Sequence, residues 1–183
     1  NGHDIRDYDL SSLRGAVAAV PQKVQLFSGT VEQNIRWGKP DATDEQVVRA
    51  ARAAQADGFI TAKPEGYQAQ IERGGVNFSG GQRQRLAIAR ALVRDFDILV
   101  VDDSSSALDY STDAAIRSAI REEYAGKTLI IVSQRVNSIM NADKILVLDN
   151  GRLVAEGTHE SLLRTSDFYH EICASQQIKG GAA

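Results

Sequence analysis

Asn77-Phe78-Ser79-Gly80-Gly81-Gln82-Arg83-Gln84-Arg85-Leu86, followed at Ile98 to Asp103 by Ile-Leu-Val-Val-Asp-Asp, decides the fold of this chain. Ser79-Gly80-Gly81 opens a segment whose apolar positions Leu86, Ile88, Ala89, Leu92 and Val93 recur at helical spacing, so a helix is expected from there to about Arg94. A helix that starts on glycines is an anion site in waiting. Its first N–H groups are free, the positive end of the helix dipole faces outward, and no Cβ keeps a phosphate away. The second stretch has four apolar residues that end in two carboxylates. That pattern is expected to form a buried parallel strand delivering acids to its carboxyl end, where open α/β sheets bind ligands.

Order and spacing of these two stretches resemble the signature motif and Walker B strand of ABC transporter ATPases. The resemblance implies an α/β fold: a P-loop NTPase-like (RecA-like) parallel-sheet core with an inserted helical subdomain. The rest of the chain reads consistently. Ala16 to Val20 is a short strand ending at Pro21-Gln22, and Thr30 caps a short helix through Ile35. Thr43-Asp44-Glu45-Gln46 has capping-box spacing ahead of an apolar stripe at Val47, Val48, Ala51 and Ala54. From Asp41 to about Leu92 no strand is expected. Beyond Asp103 the alternation returns, with strands at Thr128–Val132, Lys144–Leu148 and Leu153–Val154 and a helix at Thr112–Tyr124. A tight turn at Asn150-Gly151 and helices at about Glu160–Leu163 and Phe168–Ala174 follow, with a frayed Gly180-Gly181-Ala182-Ala183 end. The expected organisation is therefore 1–40 for the remainder of the ATP-binding core, 41–94 for the helical subdomain and 95–183 for the core again.

Composition narrows the function without naming it. The 183 residues are 43% hydrophobic and 25% charged, enough for one domain-sized core. A net charge of −3 without any basic block argues against nucleic acid as a partner. The one cysteine, Cys173, has no internal disulfide partner, which points to a reducing compartment. No apolar stretch reaches the roughly 18 residues that span a bilayer, and no signal peptide is evident.

Carried over residue by residue, the resemblance implies a site. Val20-Pro21-Gln22 is similar to the Q-loop, so Gln22 would touch the magnesium ion and the attacking water. Gln25-Leu26-Phe27-Ser28-Gly29-Thr30-Val31-Glu32-Gln33-Asn34-Ile35 resembles the exporter type, and Glu72-Arg73-Gly74-Gly75 the loop that reaches toward the membrane domains. Ser79, Gly80, Gly81 and Gln82 would bind the partner's ATP. Ser106-Ala107-Leu108-Asp109 resembles the D-loop, with Asp109 at the dimer interface. Asp102 would hold Mg2+ through water. Gly157-Thr158-His159-Glu160 resembles an exporter segment in which His159 is structural or surface-exposed, leaving no histidine cluster for a metal. ATP and Mg2+ are the implied cofactors. The implied partners are a second ABC nucleotide-binding domain and the transmembrane domains of an exporter, at the cytoplasmic face of the cell membrane, with no nucleic acid.

Two departures from the family pattern carry information. Asp103 stands where the family has its catalytic glutamate and is one methylene shorter, and a misplacement of about 1 Å costs about 10²-fold in rate. Gln134 stands where the switch histidine would be, and an amide hydrogen-bonds but does not shuttle a proton. Together with Gln22 these line a slow site, as in the degenerate half of a heterodimeric exporter. The sequence also holds no Gly-x-x-x-x-Gly-Lys-Ser/Thr. The chain is expected to be truncated after that motif, with the N-terminal part of the core missing. Two other readings stay open at this point: an ABC ATPase of DNA repair or chromosome organisation, and a fragment acting only as an interaction module.

Overall fold

The computed structural model describes residues 3–102 and 107–180, the last four of these by backbone alone. Its described residues fall into two compact units, residues 1–132 and 133–183.

In the first unit, a single 3-10 turn at Ile5–Asp7 leads to α1 (Leu10–Ala16), which runs directly into β1 (Val17–Val20). After β2 (Gly29–Thr30) come α2 (Val31–Arg36), α3 (Asp44–Ala53) and α4 (Asp57–Thr61), then β3 (Gln70–Ile71) and α5 (Gly80–Leu92). β4 (Ile98–Asp102), α6 (Tyr110–Glu123) and β5 (Thr128–Val132) complete it. The sheet order is β1-β4-β5, all parallel, with Val20 opposite Val101 and Val101 opposite Ile131. Helices α3 and α2 both pack on α5, which in turn packs on β1. Leu86 and Leu92 of α5 are buried there with Val47, Ala50 and Ala51 of α3 and Val31 and Ile35 of α2. Each such leucine or isoleucine contributes about 1.5–3 kcal/mol by leaving water. That packing is what holds the N-terminus of α5 in place.

Three expectations need correction. β4 is only half-buried: Leu99 is inside, Val100 and Val101 are intermediate and Asp102 is exposed. The register explains it, because Ala18, Val20, Leu99 and Leu129 share the covered sheet face while Ile130 and Val132, 46% and 51% exposed, lie on the opposite one. The Asp41–Leu92 stretch does contain a strand, β3, which pairs antiparallel with β2. Two residues carry no periodicity to read, so only the partner creates it. The long helix stops at Leu92 with Val93 as its C-cap, where Arg94 was expected.

The second unit, described by itself, holds α7 (Val136–Ile139), β6 (Ile145–Asp149), β7 (Arg152–Gly157), α8 (His159–Thr165) and α9 (Asp167–Gly180). β6 and β7 form a hairpin through Asn150-Gly151, whose φ values of 46° and 75° are those a two-residue hairpin turn demands. Its core is Val136, Ile145, Val147, Leu162, Tyr169 and Cys173. α9 runs past the expected Ala174 to Gly180, and Gln176, beyond that expected end, is held by hydrogen bonds to the Gln134 carbonyl and the Val136 N–H. The remainder of the expected frayed end, Gly181 to Ala183, lies outside the described residues.

Candidate functional site

The N-terminus of α5 is built by Ser79. Its Oγ accepts from the Gln82 N–H at 3.2 Å, and the Gln82 Oε1 accepts from the Ser79 N–H at 3.0 Å, a reciprocal capping box. The N–H groups of Gly80 and Gly81 lie outside this box, and the first turn carries no acid. Both glycines face the chain beyond β4. A Cβ on Gly81 would sit 3.1 Å from the Ala107 carbonyl oxygen, and one on Gly80 3.9 Å from the Ala107 Cβ. The loop ahead of the helix is tied down by side chains that pattern reading passed over. Arg83 donates to the carbonyls of Gly75 and Phe78, at 3.3 and 3.2 Å, and Asn77 bridges the Gln70 carbonyl and the Glu72 N–H at 2.8 and 3.1 Å. No hydrophobic period marks such residues, because they satisfy backbone groups distant in sequence.

Asp102 closes β4, one residue beyond the Val20–Val101 pair, and Gln22 lies two residues beyond Val20 on the neighbouring strand. Both are exposed at the carboxyl edge of the sheet. Arg90 of α5 supports the loop after Gln22: it donates to the Gln25 carbonyl at 3.0 Å and its guanidinium lies over the Phe27 ring, and burial lowers its pKa. Asp109 caps α6, accepting from the Ser111 hydroxyl at 2.6 Å and from the Thr112 N–H and hydroxyl at 2.9 and 2.8 Å. These bonds, the one from Ser111 foremost, hold its carboxyl well below the usual range. Asp109 thus has its oxygens committed to the cap, two residues from the Ala107 that meets the glycines.

Ser79 to Gln82, Gln22, Asp102 and Asp109 all belong to the first unit, and the structure brings Gly80 and Gly81 against the segment that leads to Asp109. Asp103 lies outside the described residues. Gln134 belongs to the second unit; its side chain is exposed, and its carbonyl accepts from Gln176 Nε2 at 2.7 Å. His159, half-buried, bonds the Tyr169 hydroxyl through Nδ1 at 2.9 Å, and burial pushes that phenol up to about 12. The residues fit the cofactors that the sequence implied. Glycine-borne N–H groups without a neighbouring acid suit a phosphate. Among the described residues no group of three or more His, Cys, Asp or Glu could hold a metal, so an ion at Asp102 would add Gln22, phosphate oxygens and water as ligands, consistent with the few protein ligands Mg2+ commonly takes.

Comparison with known proteins places the chain. The sequence profile of the family described as ABC transporter matches residues 1–106. An uncharacterized ABC transporter ATP-binding protein of Mycobacterium tuberculosis is 46% identical over 181 residues, 97% of this chain and 31% of that protein. The ATP-dependent lipid A-core flippase of Legionella pneumophila is 41% identical over 178 residues, 97% of this chain and 30% of the flippase. Among solved structures, a bacterial Atm1-family ABC exporter with ATP bound superposes with a TM-score of 0.92 at 40% identity, covering 96% of this chain and 31% of that one. The chain therefore spans under a third of the length of these relatives.

Proposed function

The chain belongs to the ABC transporter family, and from that premise we propose that it is the nucleotide-binding domain of an exporter, coupling ATP binding and hydrolysis to movement of a substrate across a membrane. The observation that carries this reading is the acid-free, glycine-bearing N-terminus of α5, packed in one unit with the sheet whose carboxyl edge presents Asp102 and Gln22. The export direction rests on the relatives, one a flippase and one an exporter by name. Among the described residues no helix is long and apolar enough to cross a membrane, and the path for substrate is assigned to the exporter's transmembrane domains. The domain then works at the cytoplasmic face of the membrane. We keep 1–40 and 95–183 as the ATP-binding core and 41–94 as the helical subdomain.

In this reading two nucleotide-binding domains meet head to tail. Ser79, Gly80, Gly81 and Gln82 hold the phosphates of the ATP on the partner domain, while Asp102 and Gln22 orient magnesium and water on this chain's own side. Mg2+ held there would supply positive charge against the phosphate oxygens. Asp109 fixes the start of α6 where the two domains touch. Asp103 is one methylene shorter than the family's catalytic glutamate, which works against positioning the attacking water, and Gln134 can hydrogen-bond but does not shuttle a proton as an imidazole does. This site hydrolyses slowly and the partner's site carries turnover, which makes the pair a heterodimer.

The test is made in the assembled transporter. Asp103→Ala should leave most of the steady-state ATP hydrolysis. With the partner's catalytic carboxylate neutralised, Asp103→Glu combined with Gln134→His should raise residual turnover at least about tenfold, roughly 1.4 kcal/mol of barrier. A collapse with Asp103→Ala, or no gain from the pair with ATP binding intact, removes the slow-site assignment.

A further inference from the structure

The second unit contains a side chain whose contacts make sense only through Gln134. Gln176 sits on α9, three residues beyond Cys173 and seven beyond Tyr169, and so on the stripe that faces the unit's core. Its Nε2 donates to the Gln134 carbonyl at 2.7 Å, and its Oε1 accepts from the Val136 N–H at 2.9 Å. One amide thus closes on two backbone groups that bracket the turn from Gln134 into α7. A glutamine amide carries its donor and its acceptor on separate atoms of one planar group, which lets it meet a carbonyl and an N–H at once. At the near end the Ser133 hydroxyl accepts from the Arg135 N–H at 3.0 Å, so three successive positions around Gln134 have their backbone pinned.

The clamp rests on a rigid base. Tyr169 is 2% exposed and tied to His159, Cys173 is 5% exposed, and Val136, whose N–H is clamped, is buried in the same cluster. α9 therefore cannot slide by a residue without unpacking that core. The Gln134 side chain, exposed, is left as the free end of an otherwise fastened segment. This is the arrangement required of a group that must be held to within a fraction of an ångström at a reacting phosphate.

We propose that Gln176 is the positioning residue of the switch position: the α9 amide sets the backbone from which Gln134 reaches the nucleotide. This rests on the reading of Gln134 given above. A consequence is that the C-terminal helix, far along the chain from every nucleotide motif, is coupled to hydrolysis by two hydrogen bonds.

The experiment uses the assembled transporter with the partner's catalytic carboxylate neutralised, so that ATP turnover reports on this chain's site. Gln176→Met keeps length and removes both bonds; Gln176→Glu keeps the acceptor for Val136 but sets an oxygen against the Gln134 carbonyl. Both should lower kcat about tenfold while KM for ATP stays unchanged. Gln134→Ala should lower kcat too, and Gln134→Ala with Gln176→Met should be no slower than Gln134→Ala alone, because Gln176 acts through that residue. Amide exchange at Val136 should quicken in Gln176→Met. If Gln134→Ala is slow and both Gln176 variants turn over normally, the clamp is overturned and the reading of Gln134 stands. If Gln134→Ala is itself silent, that reading falls and the clamp falls with it. Additive losses with KM and Tm moving together make Gln176 merely structural, which also overturns the proposal. Should Gln176→Met not fold, Gln176→Glu decides by the same criteria.

Discussion

Thr43-Asp44-Glu45-Gln46 and Ser79-Gly80-Gly81-Gln82 start α3 and α5 with the same local device. In both, the first hydroxyl accepts from the fourth residue's N–H, at 3.3 Å in α3 and 3.2 Å in α5, and the glutamine oxygen accepts in return, at 2.9 and 3.0 Å. Apart from threonine in place of serine at the cap, the difference lies in the two middle residues. In α3 they are acids that answer the helix dipole from within, and Asp44 also pairs with Arg36. In α5 they are glycines that leave the dipole unanswered and the backbone bare. Among the described residues four helices carry a full capping box, and α2, α3 and α8 each have an acid in the first turn while α5 has none. The lesson is that a capping box fixes where a helix begins, and the two residues inside it fix whether the end is closed by its own chain or left for an anion.

Giving α5 what α3 has breaks the contrast most sharply. Gly80→Asp sets a carboxylate where the partner's phosphate is held. At about 4 Å and an effective dielectric of about 20 the repulsion is about 4 kcal/mol, or about 10³-fold. Transporter ATP hydrolysis should fall by at least about 100-fold while the Tm of the domain holds or rises, since an acid at this position favours the helix itself. Normal hydrolysis would make α5 as closed a terminus as α3.

Gly81→Ala probes the second middle position. Its Cβ meets the Ala107 carbonyl oxygen at 3.1 Å, so the glycine end and the segment before α6 must separate by a few tenths of an ångström. A loss of hydrolysis of about tenfold is expected, with a stability cost of about 1 kcal/mol read by denaturant titration. Equal activity to wild type would show that the contact with Ala107 is slack.

The smallest effect sharpens what the two ends share. Thr43→Ala and Ser79→Ala each remove one cap bond and should each cost about 1 kcal/mol of stability. Ser79→Ala alone should weaken the ATP dependence of dimerisation, measured by sedimentation of the assembled domains with nucleotide. Loss of that dependence in Thr43→Ala would show that the two caps are not separable in function.

Where a signal was confined to one short stretch, reading it was enough. The caps at Thr30, Thr43 and Ser79, the strand Thr128–Val132 and the Asn150-Gly151 turn are each set by neighbours within a few residues, and all were legible. The α6 start was misplaced at Thr112. Asp109 caps that helix from three residues earlier, accepting from the Thr112 N–H, so the helix starts at Tyr110. Arg83, Arg90 and Gln176 were not legible at all, because each satisfies a backbone group that only the folded chain brings near.

By itself, then, the sequence determined the family, the glycine-opened helix, the acid-ended strand and the two departures at Asp103 and Gln134, since those depend on residue identity and close spacing. Tertiary structure alone decided that β3 exists, that Ala18, Val20 and Leu99 lie on a covered face of the β1-β4-β5 sheet while Ile130 and Val132 on the other stay exposed, that a Cβ on Gly81 would meet the Ala107 carbonyl at 3.1 Å, and that α9 reaches back to Gln134. The physical reason is range. Capping and periodicity act over one turn of chain, whereas burial and the pairing of backbone groups are settled between residues tens of positions apart, which no local pattern records.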